Sequence, residues 1–305
     1  MKQNSETPFA VKRNAVVETL FRILFFVAAL ASILAVALIC IFLFANGVPA
    51  MAEIGVFDFL LGTKWAPKNV PPSFGIFPMI LGSIYVTAGA IIVGVPVGIL
   101  TAVFMAKFCP KWLYRFLKPA VDLLAGIPSV VYGFFGLVVL VPMVRGLSDI
   151  SLIFDGNGNS IFTASLLLGI MILPTIIGIS ESAIRAVPDS YYEGALALGA
   201  SHERSVFFAV LPAAKSGILA GVVLGIGRAI GETMAVIMVA GNQARMPAGL
   251  FKGVRTLTAN IVMEMGYAAD LHREALIATA VVLFVFILLI NALFSVRKRR
   301  SQCTP

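Results

Sequence analysis

Two charges stand inside one apolar stretch of this chain. The segment from Gly217 to Asn242, GILAGVVLGIGRAIGETMAVIMVAGN, carries Arg228 near its middle and Glu232 four residues on. About 20 residues rising roughly 1.5 Å each cross the hydrocarbon of a bilayer, so the stretch is long enough to span. A charged side chain at that depth costs roughly 2.5–3.5 kcal/mol on insertion scales, and so faces protein, water or substrate rather than lipid. A guanidinium is permanently charged and presents a planar fork of donors suited to oxyanion oxygens. It can offset part of the cost of stripping water from such an anion. Glu232, one turn further along a helix, is placed to pair with Arg228 when no anion is present, which keeps the site from holding cargo too tightly. The same pair held permanently would only lock helices together. Thr233, Thr175 and Asn242 offer further polar groups, although such residues in a span commonly just bond a neighbouring helix.

The elements that must position these charges follow from spacing and composition. Gly217, Gly221 and Gly225 recur every four residues and form a small-residue seam where another helix can approach backbone to backbone. Of the 305 residues 59% are apolar and only 12% charged. A soluble domain carries about 25% charge, so this is an integral membrane protein. The net charge of +8 is no sign of nucleic-acid binding, because its distribution matters more than its sum. Cys40, Cys109 and Cys303 include no C-x-x-C pair, and His202 and His272 lie seventy residues apart. Neither a disulfide framework nor a metal site follows, and no catalytic constellation appears.

Hydropathy predicts an all-α polytopic protein with six spans. They run over 23–45, 74–106, 120–141, 161–184, 217–242 and 276–294. Pro128 and Pro174 mark kinks, and Asp122 and Glu181 sit near the ends of the third and fourth spans as interface or packing residues. Six spans put both termini on one side. That side carries fifteen Lys and Arg against seven on the other, so both termini are expected in the cytosol. The chain divides into a cytoplasmic tail (1–22), a first span with its external loop (23–73), a core of five spans (74–296) and a basic cytoplasmic tail (297–305).

Within the core, residues 188–215 form the longest cytoplasmic connection. Pro188 breaks the preceding helix, and Ser190 with Glu193 has the spacing of a capping box. Gly199 is placed to end that short helix through a positive φ. Ser201 can cap a second helix, and Pro212 is the expected break before the fifth span. A helix-turn-helix there is a lever that a docked partner could push.

Glu193, Ala195, Gly199, Leu211 and Pro212 resemble, at their spacing, the E-A-A…G…I-x-L-P signature of permease subunits of binding-protein-dependent ABC importers, with Gly194 and Ala209 departing from it. A narrower likeness is to phosphate ABC transporter permeases of the PstC type. It rests on Phe74–Pro78, on Ala125–Gly133 (AGIPSVVYG) and on Gly227–Val236 (GRAIGETMAV). The resemblance implies a bacterial inner-membrane protein that is not itself an enzyme and translocates phosphate along Arg228, Glu232 and Thr233. It also implies a second related permease, two ATPase subunits docked on the 188–215 loop and an external phosphate-binding protein. ATP and magnesium belong to the ATPase partner, since this chain has no Gly-Lys dipeptide and hence no phosphate-cradling loop. Molybdate, sulfate or tungstate permeases share the lever signature. A secondary anion transporter would fit the intramembrane charges but not the lever.

Overall fold

The computed structural model describes the backbone of residues 8–150 and 157–302, with side chains over 17–146 and 157–292. Cys303, Asp155, Gly156 and the first seven residues lie outside the described residues. The fold is almost wholly helical, with one short antiparallel hairpin pairing Trp65–Ala66 with Ser73–Phe74. Among the described residues six helices are long and apolar enough to cross a membrane: Val17–Ile54, Phe77–Phe108, Ser129–Gly146, Ile161–Arg185, His202–Gly231 and Asp270–Ala292.

The fourth span is the centre. Two thirds of its apolar window is buried, against none for the first span, because the second and fifth spans pack along it. Small residues set the approach. A methyl on Gly94 would meet Ile172 Cγ1 at 2.7 Å, and one on Gly98 would meet Ile176 Cγ2 at 2.8 Å. On the fifth span Gly217 faces Ala183, Gly221 faces Ile179 and Ser180, and Gly225 faces Ile176. The glycine row is therefore the contact between the fourth and fifth spans. The opposite side of the fifth span, Val222, Ile226 and Ile230, packs against the second and sixth. The first span touches the sixth near Gly47, with Phe44 edge-on to Phe284 at 6.1 Å.

Three spans differ from expectation. The first runs on as helix through Pro49 to Ile54, past the end expected at 45. The third begins at Ser129 rather than near 120. Pro128 biases Ile127 toward extended backbone (φ −68°, ψ 127°), which splits the apolar run. The residues before the split form a separate amphipathic helix, Lys111–Gly126, lying on the protein. Buried Glu181 of the fourth span clamps it there, accepting from Tyr114 Oη at 2.6 Å and pairing with Lys118 at 3.4 Å and Arg185 at 2.9 Å. The fifth span starts earlier and ends earlier than expected. It is helical from His202, passes through a widened turn at Val206–Val210 that accommodates Pro212, and stops at Gly231. Pro212 is therefore no break.

The glycine seam generates a contrast. Gly225→Ala places a methyl 2.8 Å from Ile176 Cγ1, whereas Gly227→Ala meets nothing within 4 Å. Overpacking costs about 1–3 kcal/mol, while Gly→Ala in an open helical position gains up to about 1 kcal/mol. Thermal unfolding of the purified protein should fall for the first variant and hold or rise for the second. Equal behaviour would mean the seam does not set the packing.

Candidate functional site

The fifth span ends at the site. Gly231 closes the helix, Glu232 takes extended backbone (φ −70°, ψ 131°), and a short helix, Met234–Val239, follows. The peptide groups freed by this break are answered locally. The Glu232 carbonyl accepts from Thr258 Oγ1 at 3.1 Å, and its carboxylate accepts from the Ala235 N–H at 3.1 Å. Thr233 donates to the Gly231 carbonyl at 3.2 Å. Non-helical backbone at membrane depth is tolerated only where protein or a water-filled cavity surrounds it, which marks this as a special point of the span.

The break removes the geometry of one helical turn between Arg228 and Glu232. Among the described residues Arg228 has no carboxylate within ion-pair distance; its Nη1 donates to Thr175 Oγ1 of the fourth span at 3.4 Å. The Arg228–Glu232 pairing expected from a continuous helix is absent because Glu232 is occupied as a cap. Arg228 is half-buried beside Leu224, which is 57% exposed. Gly227 and Gly231 flank it with nothing within 4 Å of where a side chain would begin. Gly178 on the fourth span is equally open, one turn from Thr175. Tyr132 of the third span donates to the Leu124 carbonyl across the Pro128 break. The result is an uncovered surface with a guanidinium, the Thr175 hydroxyl and bare glycine backbone. Asn242 lies apart from it, holding the Ile237 carbonyl beyond the short helix.

Comparison with known proteins decides the family. Residues 94–301 match the family described as "Binding-protein-dependent transport system inner membrane component". The chain belongs to this family. It is 39% identical over 278 residues to "Probable ABC transporter permease protein YqgH" of Bacillus subtilis, covering 88% of each chain. It is 36% identical to "Phosphate transport system permease protein PstC" of Mesorhizobium japonicum, covering 93% of this chain and 90% of the relative. Among solved structures, a bacterial alginate ABC transporter in complex with alginate pentasaccharide-bound periplasmic protein aligns with TM-score 0.64 at 18% identity, covering 94% of this chain and 98% of that one. The MetNI methionine ABC transporter, in inward facing conformations, aligns with TM-score 0.54 at 19% identity over 74% and 94%. At such identities the likeness concerns fold alone. The protein is thus an ABC-importer permease, a transport subunit rather than an enzyme.

The permease signature residues sit together on one face. Glu193 is exposed on the helix Asp189–Ala197, Ala195 is half-buried, and Gly199 has φ +82°. Pro188, not Ser190, occupies the N-cap, so no capping box forms. Ser201 caps the next helix by accepting from the Arg204 N–H. Leu211 packs in a cluster with Val103, Ile184, Val187 and Val206, and Pro212 is exposed beside it. Tyr192 and His202 join the two short helices through a 2.7 Å hydrogen bond, and His202 lies edge-on to Phe108 of the second span. Leu198, at the tip, is 90% exposed.

On the opposite face the structure holds a network that spacing alone does not reveal. Glu264, 7% exposed, accepts from Arg255 at 2.6 Å, from Trp65 Nε1 at 2.9 Å and bonds His272 Nε2 at 2.9 Å. Arg255 also donates to the Asn242 carbonyl at 3.1 Å. One carboxylate thereby ties the hairpin, the segment after the broken span and the start of the sixth span. Burial alone would raise the Glu264 pKa. The hydrogen bonds from Trp65, His272 and Arg255, with the Arg255 charge, instead hold it below the usual carboxylate range.

A carboxyl whose pKa is lowered by folding stabilises the fold above its unfolded value, about 4.3, and loses that contribution as pH falls through its lower folded value. Thermal stability of the wild type should decline with acidification below about pH 4.3. Glu264→Gln should lack that component and cost about 3 kcal/mol at neutral pH, since it leaves Arg255 buried and short of its partner. Parallel pH curves for the two proteins would contradict the assignment.

Proposed function

We propose that this permease translocates inorganic phosphate, with Arg228 as the cation that meets the anion midway. The observation carrying the reading is a guanidinium on an open, glycine-flanked surface, held by the neutral hydroxyl of Thr175 and by no carboxylate among the described residues. A buried pair cancels its own charge, whereas this arrangement keeps the full charge available to an oxyanion. Phosphate as the oxyanion is supported by the relatives named as phosphate transport system permeases. Molybdate or sulfate is the second reading, since one arginine does not separate tetrahedral anions. Glu232 and Thr233 serve the path by fixing the break beside Arg228 rather than by pairing with it.

The remaining parts follow from the same reading. A second, related permease covers the open surface, and an external phosphate-binding protein delivers the anion to the face of the Trp65 hairpin. Two ATPase subunits dock on the face of Asp189–Ala197, where Glu193 and exposed Leu198 stand ready for a partner. ATP and magnesium act in those subunits. Both termini lie in the cytosol of a bacterial cell, by the distribution of basic residues.

Uptake of labelled phosphate into cells or proteoliposomes tests the path. Arg228→Gln should reduce uptake at least a hundredfold with unchanged membrane insertion, and Arg228→Lys should recover part of it because a point charge replaces a fork. Normal uptake in Arg228→Gln would end the proposal. Stronger competition by molybdate or sulfate than by unlabelled phosphate would select the second reading. Leu198→Asp should leave the fold intact yet abolish co-purification of an ATPase. Retention of an ATPase by that variant would remove the docking role of the tip.

A further inference from the structure

The helix Lys111–Gly126 lies between the second and third spans and is not itself long and apolar enough to cross a membrane. Its inner face is accounted for: Tyr114, Leu117 and Val121 pack against Met105 and Ile177, and Tyr114 and Lys118 reach Glu181. Its outer face is not. Trp112, Phe116 and Leu123 are 67%, 68% and 73% exposed, and at roughly 100° per residue the three fall on one stripe opposite Val121. Beside that stripe, on one flank only, stand Lys111 and Arg115, both exposed and without an ion-pair partner among the described residues, while Asp122 on the same flank is neutralised by Lys118 at 3.4 Å. The other flank is apolar, with Leu113 and Leu124.

This three-sided pattern is specific. A helix buried against a partner protein would not need aromatic, basic and aliphatic faces in fixed rotational order. A helix lying in the bilayer interface does: aliphatic side toward the acyl chains, aromatic stripe at the boundary, basic flank toward the headgroups. The Glu181 clamp fixes the helix on the fourth span and so fixes that rotation. We propose that Lys111–Gly126 is an interfacial helix that binds anionic phospholipid, with Trp112 and Phe116 seated at the acyl boundary and Lys111 and Arg115 on the phosphate headgroups. The clamp also reaches Arg185, at the end of the fourth span just before the Asp189–Ala197 helix, and Arg185 donates to the Met105 carbonyl at 2.9 Å. Lipid charge at this helix therefore acts one residue layer from the segment on which an ATPase would push.

The chain's tryptophans, Trp65 and Trp112, make the test direct. Trp65 is 8% exposed and bonded to Glu264 on the opposite face, so bilayer quenching reports on Trp112. The full chain, purified with whatever subunits accompany it, is reconstituted into vesicles of phosphatidylcholine and phosphatidylglycerol, with one or the other brominated near the headgroup end of its chains. Strong quenching is expected, lost in Trp112→Phe, with brominated phosphatidylglycerol quenching more than phosphatidylcholine at equal mole fraction. That preference should fall roughly fivefold for each of Lys111→Gln and Arg115→Gln, which leave Trp112 in place. Absence of quenching would mean a protein covers the stripe. Equal quenching by both lipids, or a preference that survives both charge removals, would equally overturn the proposal.

Discussion

Inside a bilayer no water is present to satisfy a peptide group left over when a helix stops. The fifth span stops at Gly231, and everything around the site is arranged by that fact. Ending the ladder exposes donors and acceptors whose burial without partners costs about 1–3 kcal/mol each. Thr258 answers the Glu232 carbonyl, and the Glu232 carboxylate answers Ala235. Beyond the short helix, Arg255 answers the Asn242 carbonyl and hands the load to Glu264, which is tied to Trp65 and His272. Two hydrogen-bonded groups thus bracket the short helix, one at the break and one beyond it. The break cannot shift without disturbing the first of them.

The same constraint decides the state of Arg228. A carboxylate four residues along a continuous helix would neutralise the guanidinium at short range. Here it is turned into the backbone, and the arginine is left with a neutral threonine. An uncompensated cation in a low-dielectric setting is costly. The structure lowers the cost by opening the flank at Gly227 and Gly231 rather than by supplying a counter-charge. Access for water or an anion is then part of the stability of the site.

Much of this was legible in the chain and some was not, for physical reasons. Hydropathy located six spans because the length needed to cross hydrocarbon is fixed by the bilayer. Four-residue glycine spacing located a close helix contact on the fifth span, though not its partner, because close backbone approach requires small residues. Gly199 and Ser201 announced the turn between the two short helices through their own backbone chemistry. The end of the fifth span was hidden because Met234–Val239 continues the apolar run, so composition does not change where conformation does. The start of the third span was obscured likewise, with Pro128 dividing a stretch that hydropathy reads as one. Glu264 was invisible for another reason. Its partner Trp65 is 199 residues away in sequence, and nothing local distinguishes a loop glutamate that will be buried from one that will not.

The Asp189–Ala197 helix and the site are joined by one long helix. From His202 to Gly231 the fifth span is one helix of 30 residues, about 45 Å, with its proline absorbed in a widened turn rather than a hinge. A force applied at Asp189–Ala197 would pass through the Tyr192–His202 bond into that rod and reach the first break in its helix at Glu232. The contact along the way is the glycine seam, where the fifth span meets the fourth with little side-chain interlock of its own. Such a face resists separation through close packing yet opposes rolling less than interdigitated ridges do. A small rotation of the rod would therefore be taken up where the hydrogen-bond ladder already ends. Arg228 sits one turn before that point and is held only by Thr175, so it is the charge that such a rotation moves.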